Sequence, residues 1–420
     1  MSTLRERVPD RNLWVVYLTT WVLSTAYGLA LATTPIILHE RHFAYAEIGE
    51  LAAFFGLGIV SFAVPSGAII RRFSAQRTLV VGIVGYAAMI GLFPFLTDYW
   101  HIAVCRFFDG AFSVAVWVSC ETLLLLRASP SHRAFSTSLY AIATGLGYFV
   151  GGGIAWALLL ALDTTAVFIV AASIALLSAA IPLLRLERHT PQMHGAAHAE
   201  ETAQSGVAVA PAGIASWLSL AWRIKTSSFA TFCTGFFQAA CVLFLPLYLQ
   251  SEKHVAEADS TLVAPMSALG MLVISNVAGR IGDQRGHLLV LRGLALIGIV
   301  VLTAFTAIES LPILLVLVTI GGGSLASVPP LSLALQGAIA KPSEYARSNS
   351  IFNVFFAAGL LSGPLVAGHL STTAGISSIL WLFIGLWGVL VALSLVFRAD
   401  DPRAARSLPA AGVALKSEPR

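Results

Sequence analysis

Apolar runs long enough to cross a bilayer alternate along this chain with short polar breaks. Twelve such runs fall at 12–38, 45–70, 77–97, 100–127, 133–160 and 163–185, then 225–250, 257–281, 287–307, 310–338, 344–371 and 375–397. A helical span needs about 20 apolar residues. Backbone groups in lipid have to find partners within their own segment, so each run is expected to be a helix. The interval 186–224 is too polar to span and is rich in Ala, Gly, Pro, Thr and His. It is expected to be a linker between two six-helix halves. Within it, Ser216–Trp222 carries large apolar residues suited to lying along a membrane surface. The tail from Asp400 to Arg420 is polar and Ala/Pro-rich and predicts no span.

Composition agrees with lipid as the main solvent. Residues are 57% hydrophobic and 11% charged, against about 25% charged in soluble domains. Mean hydropathy is +0.83. A net charge of +4 is too small to suggest nucleic acid as a partner. Where the charges sit matters more. With the N-terminus inside, the inner segments hold most of the basic residues, among them Arg71, Arg72, Arg127, Arg133, Arg185, Arg280, Arg285 and Arg347. The outer loops hold Arg41 and Lys253 beside Glu40, Glu47, Asp98, Glu252 and Glu257. This bias predicts that both ends face the cytoplasm. Cys105, Cys120, Cys233 and Cys241 all lie in apolar runs, without metal or redox spacing, and are expected to be small buried hydrophobes. His189, His194 and His198 in the linker have no carboxylate or cysteine framework beside them. No cofactor or metal is expected.

The two halves match at a constant offset of 212 residues. Gly67 pairs with Gly279, Arg71 with Asp283, Pro130 with Pro342, Ser136 with Ser348, Ser138 with Ser350, Gly147 with Gly359 and Gly151 with Gly363. Register holds through polar loops, which chance similarity between apolar helices would not maintain. The pattern is that of two parallel six-helix units with a substrate site between them.

These residues resemble the major facilitator superfamily over nearly the whole chain. That family's signature after the second helix of each half, G-x-x-x-D-(R/K)-x-G-(R/K)-(R/K), stands in the second half as GRIGDQRGHL, with Gly279, Asp283 and Gly286 in place. In the first half it is GAIIRRFSAQ. Gly67 and Arg72 remain, Arg71 takes the aspartate position, and Ser74 takes the second glycine position. The resemblance implies a gate on the cytoplasmic side, with Asp283 reaching toward basic groups such as Arg133. Arg106–Gly110 on the fourth helix resembles the family's R-x-x-x-G motif, which is associated with proton coupling. Gly359, Gly363, Pro364 and Gly368 on the eleventh helix resemble its glycine–proline motif, and Gly147 and Gly151 lie parallel on the fifth. Such small-residue surfaces also serve close packing, or a hinge.

The fourth run carries the chemistry. It reads HIAVCRFFDGAFSVAVWVSCETLLLLR from His101 to Arg127, with Arg106, Asp109 and Glu121 in one apolar span. Each ionisable group at mid-bilayer costs roughly 2.5–3.5 kcal/mol on insertion scales, so such groups are functional candidates by default. Arg106 and Asp109, three apart, can pair along one helical face. Asp109, Ser113, Trp117 and Glu121 recur every four residues and predict a polar and aromatic ladder facing a water-filled cavity or the bundle interior. The matching tenth helix has Gly321, Pro329 and Leu333 at the positions of Asp109, Trp117 and Glu121. Gly321–Gly323 and Pro329–Pro330 predict a break or bend there. Cavity candidates on other helices are Tyr27, Tyr140, Gln238 and Asn353.

The expected protein is therefore an all-α membrane protein with twelve transmembrane helices in two pseudo-symmetric bundles. An N-terminal bundle occupies 1–185, a cytoplasmic linker 186–224, a C-terminal bundle 225–397 and a tail 398–420. The function expected is secondary active transport of a small, amphiphilic organic molecule across the plasma membrane. Proton coupling runs through Arg106, Asp109 and Glu121, export is favoured over import, and the protein works as a monomer. A sugar or metabolite importer is the alternative within transport, and a non-transporting sensor the alternative outside it. No hydrolase, zinc-protease or nucleotide-binding motif stands in the sequence.

Overall fold

The computed structural model describes residues 10–127, 133–186, 214–341 and 344–400, apart from the side chains at 64, 71, 125, 133, 134, 214, 345, 346 and 399. The three linker histidines, Pro130, Pro342, residues 401–420 of the tail and the side chains of Arg71 and Arg133 thus lie outside the described residues. Among the described residues, twelve helices are long and apolar enough to cross a membrane. They are α1 (Arg11–Glu40), α2 (Tyr45–Phe73), α3 (Ala75–Leu92), α4 (Tyr99–Arg127), α5 (Arg133–Leu159) and α6 (Thr164–Arg185), then α7 (Lys225–Lys253), α8 (Val263–Arg285), α9 (His287–Ala307), α10 (Leu311–Ile339), α11 (Tyr345–Ala374) and α12 (Ser378–Val396).

Local chemistry explains the ends and the interiors of these helices. Asp10 caps α1 by accepting from the Asn12 N–H at 2.8 Å, and Asp163 caps α6 through the Ala166 N–H at 3.1 Å. Hydroxyls inside the spans turn back on their own helix. Thr19, Thr33 and Thr34 each donate to the carbonyl four residues earlier, which removes the need for a partner in lipid. The eighth span departs from the expected 257–281. A single turn, Glu257–Ser260, precedes α8 and belongs to the same apolar span, Glu257–Arg285; the Ser260 and Thr261 hydroxyls bond back to carbonyls of that turn. Gly321–Gly323 and Pro329–Pro330 were expected to break or bend α10; the helix is not broken and runs from Leu311 to Ile339 with both prolines inside it.

Helices α1–α6 pack with one another, as do α7–α12, and the two bundles meet mainly where α2 packs on α11 and α5 on α8. Within each bundle the paired glycines allow close helix approach. A Cβ on Gly151 would sit 2.1 Å from the Thr25 carbonyl of α1, and one on Gly363 would sit 2.4 Å from the Phe236 carbonyl of α7. These equivalent contacts carry the 212-residue offset into three dimensions. The turn after the second helix of each half repeats as well. Ser74 has φ 86° and ψ 150°, and Gly286 has φ 102° and ψ 139°. The first-half turn thus keeps a glycine backbone after losing the glycine.

The expected surface helix forms as Ile214–Arg223. Its Leu220 is buried against Ile224, Ala340 and Ile351, while Leu218 and Trp222 stay exposed. Arg223 holds it to the C-terminal bundle through both Glu344 carboxylate oxygens, each at 3.0 Å, and the Ile339 carbonyl at 2.8 Å. Glu344 also accepts from the Lys341 N–H at 2.9 Å.

Two predictions follow from these local structures. Ser74 occupies a backbone region that costs a non-glycine residue about 1–3 kcal/mol. Ser74→Gly is therefore expected to raise the unfolding midpoint of the detergent-solubilised protein, and an unchanged or lower midpoint would refute the strain. The Lys341 N–H, and then Arg223, hold the Glu344 carboxyl below its usual range. Its contribution to docking is fully present above the ordinary Glu value of about 4.3 and is lost as pH falls through the depressed one. Glu344→Gln imitates the protonated state at neutral pH. It is expected to speed maleimide labelling of a Leu220→Cys reporter by about tenfold, whereas an unchanged rate would show that the surface helix is held by other contacts.

Candidate functional site

The bundles touch from the face opposite the termini down to mid-depth. Between α2 and α11, the Ala46 N–H donates to Thr372 Oγ1 at 3.0 Å. A Cβ on Gly49 would sit 2.2 Å from the Pro364 carbonyl, and one on Gly368 2.5 Å from the Tyr45 carbonyl. Between α5 and α8, Trp156 Nε1 donates to Asp259 at 2.9 Å, and Gly152 lies against Pro265. Past mid-depth, toward the termini, the same helices leave Ile142, Val277 and Val354 exposed. The space between the bundles is thus closed on one face and opens as a cleft on the face that carries the chain ends. Gly359 and Gly363 pack inside their own bundle, while Pro364 and Gly368 form the closed seam.

Helix α4 stands beside this cleft and presents three different surfaces. Gly110 and Ala111 press on α2, where a Cβ on Gly110 would sit 2.0 Å from the Phe55 carbonyl. Phe112 and Val116 pack on Gly85 and Gly82 of α3. Ser113 and Cys120 meet Tyr27 and Thr20 of α1. The expected one-sided ladder does not form. A step of four residues advances about 400°, so three steps carry Glu121 roughly 120° around the axis from Asp109.

The upper part of that ladder lies inside the N-terminal bundle. Asp109 is 4% exposed and pairs with Arg106 Nη1 at 2.5 Å. The Arg106 guanidinium lies 4.5 Å from the Phe55 ring centroid, a geometry that recovers part of its lost hydration. Ser113 Oγ lies 3.4 Å from Asp109 Oδ1 and accepts from the Tyr27 hydroxyl at 2.8 Å. Tyr27 stacks on Tyr86 with ring centroids 4.0 Å apart, and Trp117 approaches Tyr27 at 6.1 Å. Arg106, Asp109, Tyr27 and Tyr86 line a cavity of about 40 Å³, enough for a water or two. The charges are therefore enclosed, paired and hydrogen-bonded, the condition under which a buried ion pair is tolerated.

Glu121 lies elsewhere. It is exposed, and its direction is roughly 140° from the exposed apolar stripe of Phe108 and Leu126 at 100° per residue. That stripe is the lipid side of α4, so Glu121 points between the α1 and α2 contacts, toward the cleft. Trp14, Leu18 and Trp21 form an exposed stripe on α1. Gln238 is the only exposed position of α7 between Lys225 and Gln250. Asn353 is exposed on α11 and turns its amide to its own Asn349 carbonyl at 3.0 Å. Tyr140 is half-buried against Leu13, Tyr17 and Leu124. Gly321 packs near Val301 of α9, and Pro329 is half-exposed in α10. Arg72 is exposed with its guanidinium 5.4 Å from the Phe73 ring centroid. Gly67 and Gly279 lie in the last two turns of α2 and α8, Gly286 ends α8, and Asp283 is exposed on the same face.

Sequence reading missed Tyr86, which stacks on Tyr27. On the first helix it offered Tyr17 and Trp21 beside Tyr27 as cavity candidates; Tyr17 is buried and Trp21 exposed.

A family model described as Major Facilitator Superfamily matches residues 16–297 and 227–418. The chain belongs to the major facilitator superfamily. No curated protein matches it by sequence. Among solved structures it is similar to the nucleoside transporter NupG, at 14% identity and a TM-score of 0.72, covering 93% of this chain and 99% of that one. It is also similar to a bacterial homologue of the human lysosomal transporter Spinster in an inward-facing, occupied conformation, at 11% identity and a TM-score of 0.72, covering 96% and 99%. The protein is thus a multi-pass membrane protein of a secondary-transporter superfamily, and its fold is theirs.

The Arg106–Asp109 pair has a direct thermodynamic test. Asp109→Asn leaves a buried guanidinium uncompensated and is expected to cost about 3–5 kcal/mol, whereas replacing both partners with apolar residues costs far less. Unfolding midpoints should therefore fall more for Asp109→Asn than for the double variant Arg106→Met with Asp109→Leu. The opposite order would show that the pair is not the element that makes these charges tolerable.

Proposed function

We propose that this protein is a proton-coupled transporter that moves small amphiphilic organic molecules by alternating access, with export as its working direction. Glu121 carries the reading: it is an exposed carboxylate on the side of α4 turned from the apolar stripe of Phe108 and Leu126, and we place it in the cleft, with the exposed Trp14, Leu18 and Trp21 of α1 as a wall. Aromatic and aliphatic surface with one acid and few amides favours an amphiphile, neutral or cationic, over a polyhydroxylated solute, which needs many hydrogen-bonding partners. The basic loops place the termini in the cytoplasm of a plasma membrane. On that placement the structure is the inward-facing state.

Roles divide according to burial. Glu121 exchanges its proton with whichever side the cleft faces and competes with substrate charge for that site. Arg106 and Asp109 stay paired and set the potential of the α4–α1 interface, with Ser113 and Tyr27 linking it to the cleft wall through Trp117. Gln238 and Asn353 supply the hydrogen bonds that orient substrate from the second bundle. The Gly49–Pro364 and Gly152–Pro265 contacts separate when the cleft opens outward, and the helix ends bearing Arg72, Arg133 and Asp283 then close the cytoplasmic face. Each bundle moves as a rigid body. Nucleoside transport, the activity named for one structural neighbour, is the competing reading and enters the test as a competitor.

Proteoliposomes with an imposed pH gradient test this reading. Ethidium, an amphiphilic cation, is expected to move against its gradient when protons flow the other way. Glu121→Gln is expected to cut that flux at least tenfold and Glu121→Asp to retain part of it, with all three proteins eluting as single peaks. Gradient-driven flux that survives Glu121→Gln, or that uridine abolishes while ethidium does not compete, would overturn the proposal.

A further inference from the structure

Outside the cleft, a second recess lies on the opposite side of α4. It is a groove of about 440 Å³ between α2, α3 and α4, walled by Phe62, Ile69, Phe73, Val81 and Phe112, with Arg77 at its end nearest the termini. Val81, Phe73, Ile69 and Phe108 are exposed, so the groove opens on the outer surface of the spans rather than between the bundles. Glycines give it depth. Gly85 lets the Phe112 ring lie flat against the α3 backbone, where a Cβ would be 2.4 Å away, and Gly82 admits Val116. No acidic residue lines it. Arg77 is exposed, as is Arg72 on the preceding turn, its guanidinium 5.4 Å from the Phe73 ring centroid.

The second half does not reproduce this groove, although the offset holds elsewhere. Arg77 corresponds to Leu289, Gly82 to Leu294, Phe112 to Ser324 and Phe73 to Arg285. The basic end, the glycine floor and the aromatic wall are thus particular to one half and not a by-product of the repeated helix packing.

We infer that this groove binds an anionic phospholipid of the surrounding bilayer, its acyl chain between α2, α3 and α4 and its phosphate on Arg77, with Arg72 adding to the local positive field. An apolar trough at membrane depth selects a hydrocarbon chain. Cations at its interfacial end select a headgroup with net negative charge. The inference needs the membrane placement of α2–α4 but not the transport reading, so either can fail alone.

Native mass spectrometry of the full chain in detergent, with phosphatidylglycerol and phosphatidylcholine of identical acyl chains added at equal concentration, tests it. The wild type is expected to retain phosphatidylglycerol at least fivefold over phosphatidylcholine. Arg77→Gln should bring that ratio toward one, and Arg77→Lys should keep most of it. Ala115→Trp, which fills the groove without touching its charge, should reduce retention of both lipids. Size-exclusion profiles and unfolding midpoints show whether each variant is folded. Equal retention of the two lipids by the wild type, a ratio that survives Arg77→Gln in folded protein, or retention unchanged by Ala115→Trp would each overturn the site. Displacement of phosphatidylglycerol by ethidium in the wild type but not in Ala115→Trp would overturn it too, by making the groove a site for soluble amphiphiles.

Discussion

Hydrocarbon offers no hydrogen-bond partner, and the positions of the polar groups in these twelve helices follow from that fact. Threonine and serine hydroxyls turn back on their own backbone, as at Thr19, Thr33 and Ser327. Arg106 meets Asp109 and the Phe55 ring. Tyr27 donates to Ser113. Glu121, which has no such company, is exposed on the side of α4 turned from lipid. One helix therefore shows both solutions open to an ionisable group in a membrane, enclosure with a counter-charge or access to water.

The same constraint shapes the contacts between helices. Without a hydrophobic drive to bring helices together in lipid, close backbone approach supplies the attraction, and glycine allows it. Two sets of glycines use it differently. Gly147 and Gly151 fix α5 to α1, and Gly359 and Gly363 fix α11 to α7 in the same way, so each bundle is held as a unit. Gly49, Gly152 and Gly368 sit instead at the seam between bundles, where few hydrogen bonds cross. Such a seam is largely close contact between small surfaces, and the polar groups that cross it, among them His369 with Glu50 and Trp156 with Asp259, are not fully buried, whereas parting α4 from α1 would unpair the buried Tyr27 and Ser113 hydroxyls. The line of easy separation therefore runs between the bundles and not through either.

Much of this was legible in the sequence, and particular residues show where legibility ended. Run lengths revealed the spans because lipid demands local satisfaction, and the offset of 212 survives as matching glycine contacts and as the paired backbone of Ser74 and Gly286. Spacing alone placed Asp109 and Glu121 on one ladder, since four-residue steps look collinear in a string. The 40° drift per step separates them in space. Proline in α10 suggested a break or bend, but the helix continues through Pro329 and Pro330. Tyr86 carried no signal at all, because its part is set by a stacking partner 59 positions away on α1.

The backbone repeats, yet Asp109, Trp117 and Glu121 of α4 face Gly321, Pro329 and Leu333 at the equivalent positions of α10. The asymmetry is chemical and sits on one backbone plan. Asp109 is paired with Arg106 inside its own bundle, Glu121 is exposed, and Gly321 packs near Val301 of α9. The fourth helix therefore carries a desolvation cost that the tenth does not, and only the first bundle needs the aromatic and hydroxyl contacts that offset it.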